Sequence, residues 1–231
     1  MSQEAVLPSH LGIILDGNRR WAKARDLSTF EGHLKGYENF KDITKHAFNR
    51  GVDYVSAYIF STENWARTKD EVKFLMSLAL KLLTKDLAEL NRENIRVVWL
   101  GSKEKLSQKL IDAILKAEEK TKNNTHGTLC LCFNYGGKQE IVEAVKKIIT
   151  EKTPVDQVTS DLIDKSLYAP EVPPVDLIIR TSGEHRSSGF MLFRSDYAEF
   201  YFTNKLWPDF TRVDLEDALN DYSYRSRRFG K

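Results

Sequence analysis

The stretch LGIILDGNRRW, Leu11 to Trp21, sets an apolar run directly before a carboxylate and two arginines. Its apolar run of Leu11, Ile13, Ile14 and Leu15 is short, branched and stopped by Gly17, with no polar alternation. Such a run reads as a strand buried on both faces, the condition of a parallel sheet. Asp16 then stands at the carboxyl end of that strand. In open α/β sheets ligands bind at this end, and the turn that follows offers backbone N–H groups to an anion. A carboxylate among anion donors makes chemical sense when a metal ion lies between it and a phosphate.

Outward from this strand, further β-rich runs fall at Val52–Phe60, Ile95–Leu100, Thr128–Phe133, Val175–Ile179 and Ala198–Phe202. Helix-like stretches separate them at Tyr37–Asn49, Asp70–Arg92, Lys103–Lys122, Lys138–Lys152 and Ser160–Leu167. Alternation of this kind predicts right-handed βαβ units: one α/β domain over residues 1–231, a mostly parallel central sheet with helices on both faces. The prolines Pro170, Pro173 and Pro174 mark a loop, because strand and helix signals resume at once.

Composition narrows the class. With 41% hydrophobic and 29% charged residues the chain is globular, and a net charge of +2 leaves no overall footprint for nucleic acid. Anion binding must come from local clusters. Cys130 and Cys132 alternate with Leu129, Leu131 and Phe133, a spacing that suits neither a zinc knuckle nor a redox pair, so they read as buried small residues. The first ten residues show no signal-peptide pattern, and no apolar segment approaches the roughly 20 residues of a membrane span. A cytoplasmic protein is expected.

The stretch Asp70–Arg92 carries two apolar stripes. Val72, Leu75, Met76, Ala79, Leu83, Leu87 and Leu90 follow the helical period and would face the sheet. Phe74, Leu78 and Leu82 form a second stripe that needs another partner. Broader burial, a subunit interface and the lining of an apolar ligand channel are all open on periodicity alone.

Two more clusters sit at expected strand ends. FSTENWAR brings Ser61, Thr62, Glu63, Asn64, Trp65 and Arg67 together; DLIIRTSGEHRSSGF brings Arg180, Ser182, His185, Arg186, Ser187 and Ser188. Guanidinium forks and hydroxyls suit a phosphate ester. Singly, each cluster has a plain explanation as a turn, a surface ion pair or a loop histidine. Their shared position implies a polyanionic substrate, and the absence of GxxxxGK[ST] and GxGxxG removes the usual nucleotide devices.

These segments, with Gly32–His33, FNYGG, YAEFYF, LWPDF and RSRRFG, occur in the order found in cis-prenyltransferases, and the chain resembles the undecaprenyl diphosphate synthase-like isoprenyl transferases over nearly its whole length. The resemblance implies condensation of isopentenyl diphosphate with an allylic diphosphate to give a Z-polyprenyl diphosphate, with Mg2+ as cofactor. It implies a homodimer, an apolar tunnel beside the sheet for the growing chain, no nucleic-acid partner, and a peripheral membrane contact as one route for product release. Asp16 would hold the metal and act in catalysis with Asn64. Gly17, Asn18, Arg19, Arg20, Trp21, His33, Ser61, Thr62, Glu63 and Trp65 would bind the allylic substrate. Arg67, Arg180, Arg186, Ser187 and Ser188 would bind isopentenyl diphosphate. His185 and Glu199 would belong to a metal-linked site near the dimer contact, with Arg225, Arg227 and Arg228 reaching toward the partner.

A neutral amide is a poor base, so Asn64 is expected to orient, and the proton's acceptor stays open, a leaving diphosphate oxygen being one candidate. The chain also departs from the family pattern. Thr29 stands where an allylic-phosphate arginine is usual, Gly189 replaces a common asparagine, Phe193–Arg194 replaces a Trp-Gln type pair, and Ile59 replaces a frequent alanine. An irregular, lavandulyl-type coupling on the same fold, or a non-catalytic subunit of a heteromeric prenyltransferase, are the alternative readings.

Overall fold

A computed structural model describes residues 6–225. In chain order the elements are β1 (His10–Ile14), α1 (Asn18–Lys23), α2 (Thr29–Asn49), β2 (Tyr54–Ser61), α3 (Lys69–Thr84), α4 (Leu87–Arg92) and β3 (Ile95–Leu100). They continue with α5 (Gln108–Thr121), β4 (Gly127–Tyr135), α6 (Gly137–Thr150), α7 (Ser160–Ser166), β5 (Leu177–Arg180), β6 (Glu199–Phe202) and α8 (Arg212–Tyr224). The strands form one sheet in the order β3-β4-β2-β1-β5-β6, every pairing parallel. β1 is central and buried at all five positions, as its unbroken apolar run requires.

Alternate residues of the strands feed two cores. On one face Leu11, Ile13, Leu131 and Phe133 meet α2, α3, α5 and α8 through Phe40, Leu83, Ile114 and Leu215. On the other, Ile14, Cys130 and Cys132 join Phe190 and Met191. Both cysteines are fully buried and unbridged, as their alternation implies.

Three expectations change. The helix expected over Asp70–Arg92 is two helices, because α3 ends at Thr84 and α4 begins at Leu87. Thr84 turns its hydroxyl back onto the Leu80 carbonyl at 2.6 Å, and Asp86 takes the Tyr37 hydroxyl and lies 3.4 Å from Lys41, so local side-chain bonds compete with the helix ladder. α2 starts at Thr29, eight residues before the expected Tyr37, because Ser28 and Glu31 form a capping box that apolar periodicity does not register. α8 was not expected at all; its start is the same device, built from Thr211 and Asp214.

One irregularity shapes the sheet's carboxyl edge. Tyr58 pairs with Cys132 and Phe60 with Phe133, so Ile59 is an extra residue in β2. On β4, Asn134 answers with a left-handed backbone at φ 53°. A bulge of this kind re-aims a side chain, and Ile59 lines the cavity described next.

Candidate active site

The carboxyl ends of β1, β2 and β5 meet around Asp16. Its backbone carbonyl accepts the Thr181 hydroxyl at 2.6 Å and the Trp207 N–H at 3.0 Å, which fixes the residue from both sides. Gly17 follows at φ 114°, a conformation that favours glycine, with Leu206 about 3 Å from any added Cβ. The chain thereby turns into α1. Gly32 and Gly36 of α2 let Asn18 approach closely, since a Cβ at either would lie 2.3 Å or less from an Asn18 oxygen.

The Asp16 carboxylate faces two guanidinium groups. Arg180 donates to Oδ2 at 3.0 Å, and Arg20 lies 3.7 Å away. Arg180 is almost fully buried and also donates to the Arg186 carbonyl at 2.5 Å and the Ser188 hydroxyl at 2.8 Å. Its Nε is buried without a hydrogen-bond partner among the described residues. Arg20 donates both to the Ser182 carbonyl and to its hydroxyl, tying α1 to the turn after β5. Oδ1 of Asp16 carries no hydrogen bond among the described residues, and the side chain keeps a third of its exposure.

Behind this mouth lies a residue that sequence reasoning missed. Glu71, buried in the first turn of α3, takes the His33 ring N–H and an Arg67 N–H on the same oxygen, each at 3.0 Å. Burial lowers the His33 pKa, and Glu71 opposes the shift. One carboxylate thus fixes two side chains from different elements. The i, i+4 spacing from Arg67 was the available signal. Trp207 was also given no role, although it is fully buried and its indole donates to the Gly36 carbonyl at 2.8 Å.

Asn64 sits in the short 3-10 turn after β2, where its side-chain oxygen accepts the Ser61 N–H at 3.1 Å. The amide therefore presents N–H donors to its surroundings. Below these groups opens a cavity of about 1350 Å³. Polar walls at its mouth include Asp16, Arg19, Arg67 and Asn64, and the start of α6 at Gly137 and Lys138 also lines it, Gly137 donating to the Gly189 carbonyl at 3.1 Å. Its inner wall is apolar, with Leu75, Leu78, Leu82 and Leu83 of α3 against Phe40 of α2. Both stripes of α3 therefore contribute to one cavity.

Of the expected site residues, Asp16, Gly17, Asn18, Arg19, Arg20, His33, Ser61, Thr62, Glu63, Asn64, Arg67, Arg180 and Ser188 line this cavity. Trp21, Trp65, Arg186 and Ser187 do not line it. Trp21 donates to Asp209 at 2.7 Å, Trp65 to Asn134 at 2.7 Å, and Arg186 pairs with Glu184 at 2.5 Å. His185 stacks on Phe202 at 4.8 Å, level with Arg180, whereas Glu199 lies level with Leu177 at the other end of β6 and pairs with Arg225 at 2.8 Å. Three residues of β6, about 10 Å of strand, separate Phe202, on which His185 stacks, from Glu199. Arg227 and Arg228 lie outside the described residues. Among the described residues, no three His, Cys, Asp or Glu side chains gather as a ready metal site.

A parallel α/β sheet whose strand ends hold arginine forks over an apolar cavity defines a site for an amphiphilic anion. The family described as "Putative undecaprenyl diphosphate synthase" matches residues 14–230, and the chain belongs to it: it is a prenyltransferase. The isoprenyl transferase of Thermotoga maritima is 46% identical over 226 residues, 97% of each chain. Among solved structures, lavandulyl diphosphate synthase from Lavandula x intermedia, in complex with dimethylallyl diphosphate, superposes with a TM-score of 0.93 at 37% identity, covering 99% of this chain and 100% of that one. A probable undecaprenyl diphosphate synthase from Campylobacter jejuni gives 0.82 at 28% identity, covering 100% of both chains.

Proposed function

We propose that the protein joins isopentenyl diphosphate to a short allylic diphosphate with Z geometry, and repeats the step while the growing chain enters the apolar part of the cavity. The observation that carries this reading is the cavity's polarity: a carboxylate with arginines at one end, leucines and Phe40 at the other. In each step the allylic C1–O bond breaks, C1 bonds to C4 of isopentenyl diphosphate, and a proton leaves C2. Arg20 and the amides at the start of α1 hold the departing diphosphate, and Arg180 and Ser188 hold the one that stays. Arg67 binds phosphate from the position that Glu71 fixes. Asn64, whose free groups are donors, orients substrate, and a leaving diphosphate oxygen takes the proton.

The residues fit a magnesium ion. Mg2+ binds through one or two carboxylates and completes its shell with water and substrate phosphates, so one carboxylate with an unengaged oxygen is an adequate protein ligand. Asp16 would hold it, and when bound it neutralises charge on the leaving diphosphate. The protein acts as a homodimer in this proposal, with His185 and Glu199 belonging to a metal-linked site near the contact.

A second reading has one specific support, the 0.93 TM-score with lavandulyl diphosphate synthase: an irregular coupling of two allylic diphosphates. Purified protein with radiolabelled isopentenyl diphosphate and C5, C10 or C15 allylic primers separates the two. Labelled Z-polyprenols after dephosphorylation support the proposal. Product from dimethylallyl diphosphate alone, with no label incorporated, overturns it.

A further inference from the structure

The turn that carries Asn64 has little burial to hold it. It spans Thr62–Ala66 after β2, and none of its five residues is fully buried. Thr62, Glu63 and Asn64 line the cavity; Trp65 does not, and sets its ring edge on Phe60 with centroids 5.3 Å apart. The Trp65 indole N–H donates to Asn134 of β4 at 2.7 Å. Asn134 does not line the cavity either, so its effect on the site passes through Trp65.

Asn134 is buried, and β4 leaves it unpaired between Phe133, level with Phe60, and Tyr135, level with Ser61. Its backbone is left-handed at φ 53°, a conformation that asparagine adopts more readily than branched or bulky residues. The side-chain amide is saturated. Nδ2 donates to the Ser102 carbonyl at 2.7 Å and the Glu104 carbonyl at 2.8 Å, and Oδ1 takes the Trp65 indole. Two carbonyls need a donor and one indole needs an acceptor, so a single orientation of the amide satisfies all three. Gly101 lets the loop after β3 come this close, since a Cβ there would lie 2.0 Å from the Phe133 carbonyl oxygen. One side chain thus joins the carboxyl ends of β2, β3 and β4.

We propose that Asn134 is a positioning residue for the condensation: through the Trp65 indole it sets the turn from which Glu63 and Asn64 face the cavity. The inference rests on the proposed reaction, in which Asn64 orients substrate. The other polar bonds of this segment do a different task. The Ser61 N–H bond to Asn64 is internal to the turn, and the Arg67 bond to Glu71 lies beyond its end, so neither fixes the turn against β4. A displacement of about 1 Å among reacting groups costs about a hundredfold in rate. Arg180 and Ser188, bonded to each other at 2.8 Å beside β5, hold their diphosphate independently of this turn, so the loss falls on kcat.

The test uses two substitutions in the full chain. Asn134→Gly removes the side chain and keeps the left-handed backbone, which glycine adopts freely; Trp65→Phe keeps a ring on Phe60 and removes the indole N–H. Each should lower kcat for isopentenyl diphosphate addition about tenfold or more, with its KM within about threefold. The double variant should lose no more than the larger single, because both remove one bond. In 15N-labelled protein the Trp65 indole resonance, identified by its loss in Trp65→Phe, should move in Asn134→Gly while those of Trp21 and Trp207 stay, with circular dichroism unchanged. A parent protein that incorporates no labelled isopentenyl diphosphate overturns the reaction and this inference with it. With an active parent, an unchanged kcat in Asn134→Gly, an unmoved Trp65 resonance, losses that multiply in the double variant, or a loss carried by KM overturns this inference alone.

Discussion

Asp16 is held by its backbone and left half free at its carboxylate, which is the state expected of a ligand-binding acid. Asp16→Ala should lower condensation about a hundredfold or more at saturating Mg2+, with the fold intact by circular dichroism. Activity within tenfold of the parent would remove it from the chemistry. Thr29 gives a prediction of opposite sign. It lines the cavity, and the neighbouring Arg25 is turned away onto Asp209 at 3.0 Å and the Trp21 ring at 4.5 Å. Thr29→Arg therefore meets no resident guanidinium from Arg25, and one charge-assisted phosphate bond should lower the KM for the allylic primer about tenfold or more. A KM that is unchanged or raised would place Arg19 in that space. His10 controls acid stability. It is fully buried between the Pro173 carbonyl and the Ser56 hydroxyl, and burial pushes its pKa from 6.5 down to about 4. The unfolded chain binds this proton first, so stability present above pH 6.5 should fall as pH drops toward 4, by on the order of 3 kcal/mol. Denaturant midpoints from pH 7 to pH 4 measure this, and His10→Gln should flatten the profile.

At the scale of elements, legibility followed the kind of signal. β1 and β5 were readable because unbroken apolar runs have one stable location, the interior of a parallel sheet, whereas β3 and β6 lie at its edges and carry Arg96 and Glu199. Capping boxes at Ser28 and Thr211 were equally present in the sequence, but they act through side-chain oxygens and leave no apolar period. The break at Asp86 was hidden because its partners, Tyr37 and Lys41, lie far away in sequence on α2. The second stripe of α3 could not be assigned by period, and in the structure Leu78 and Leu82 face the cavity while Phe74 meets Phe30. This geometry predicts product length. Ile59 narrows the cavity from the β2 bulge, and Phe40 with Leu82 separates the cavity from a pocket of about 30 Å³ bordered by Asp86 and Glu89. Ile59→Ala and Phe40→Ala should each shift Z-polyprenols to longer chains on thin-layer separation, and Leu78→Trp to shorter ones. If none of the three moves the distribution, the growing chain lies elsewhere.

Across the whole molecule, the sheet order places three clusters, far apart in the chain, at neighbouring strand ends. The sequence announced each cluster, and the parallel fold explains why they converge. It did not announce Glu71 or Trp207, whose task is to hold other residues and whose types are common in any core. Trp21 and Trp65 were expected in the site by resemblance, but their indoles are bonded to Asp209 and Asn134. In the proposed reaction one cavity holds a diphosphate at Asp16 and an isoprenoid chain against α2 and α3. A crystal structure with Mg2+ and farnesyl thiodiphosphate, whose sulfur bridge resists cleavage, tests this arrangement. We predict the diphosphate at the start of α1 beside Arg20, the metal on Asp16, and the chain along Leu75, Leu78 and Leu82. A diphosphate bound away from Asp16, or a chain lying outside these leucines, would overturn it.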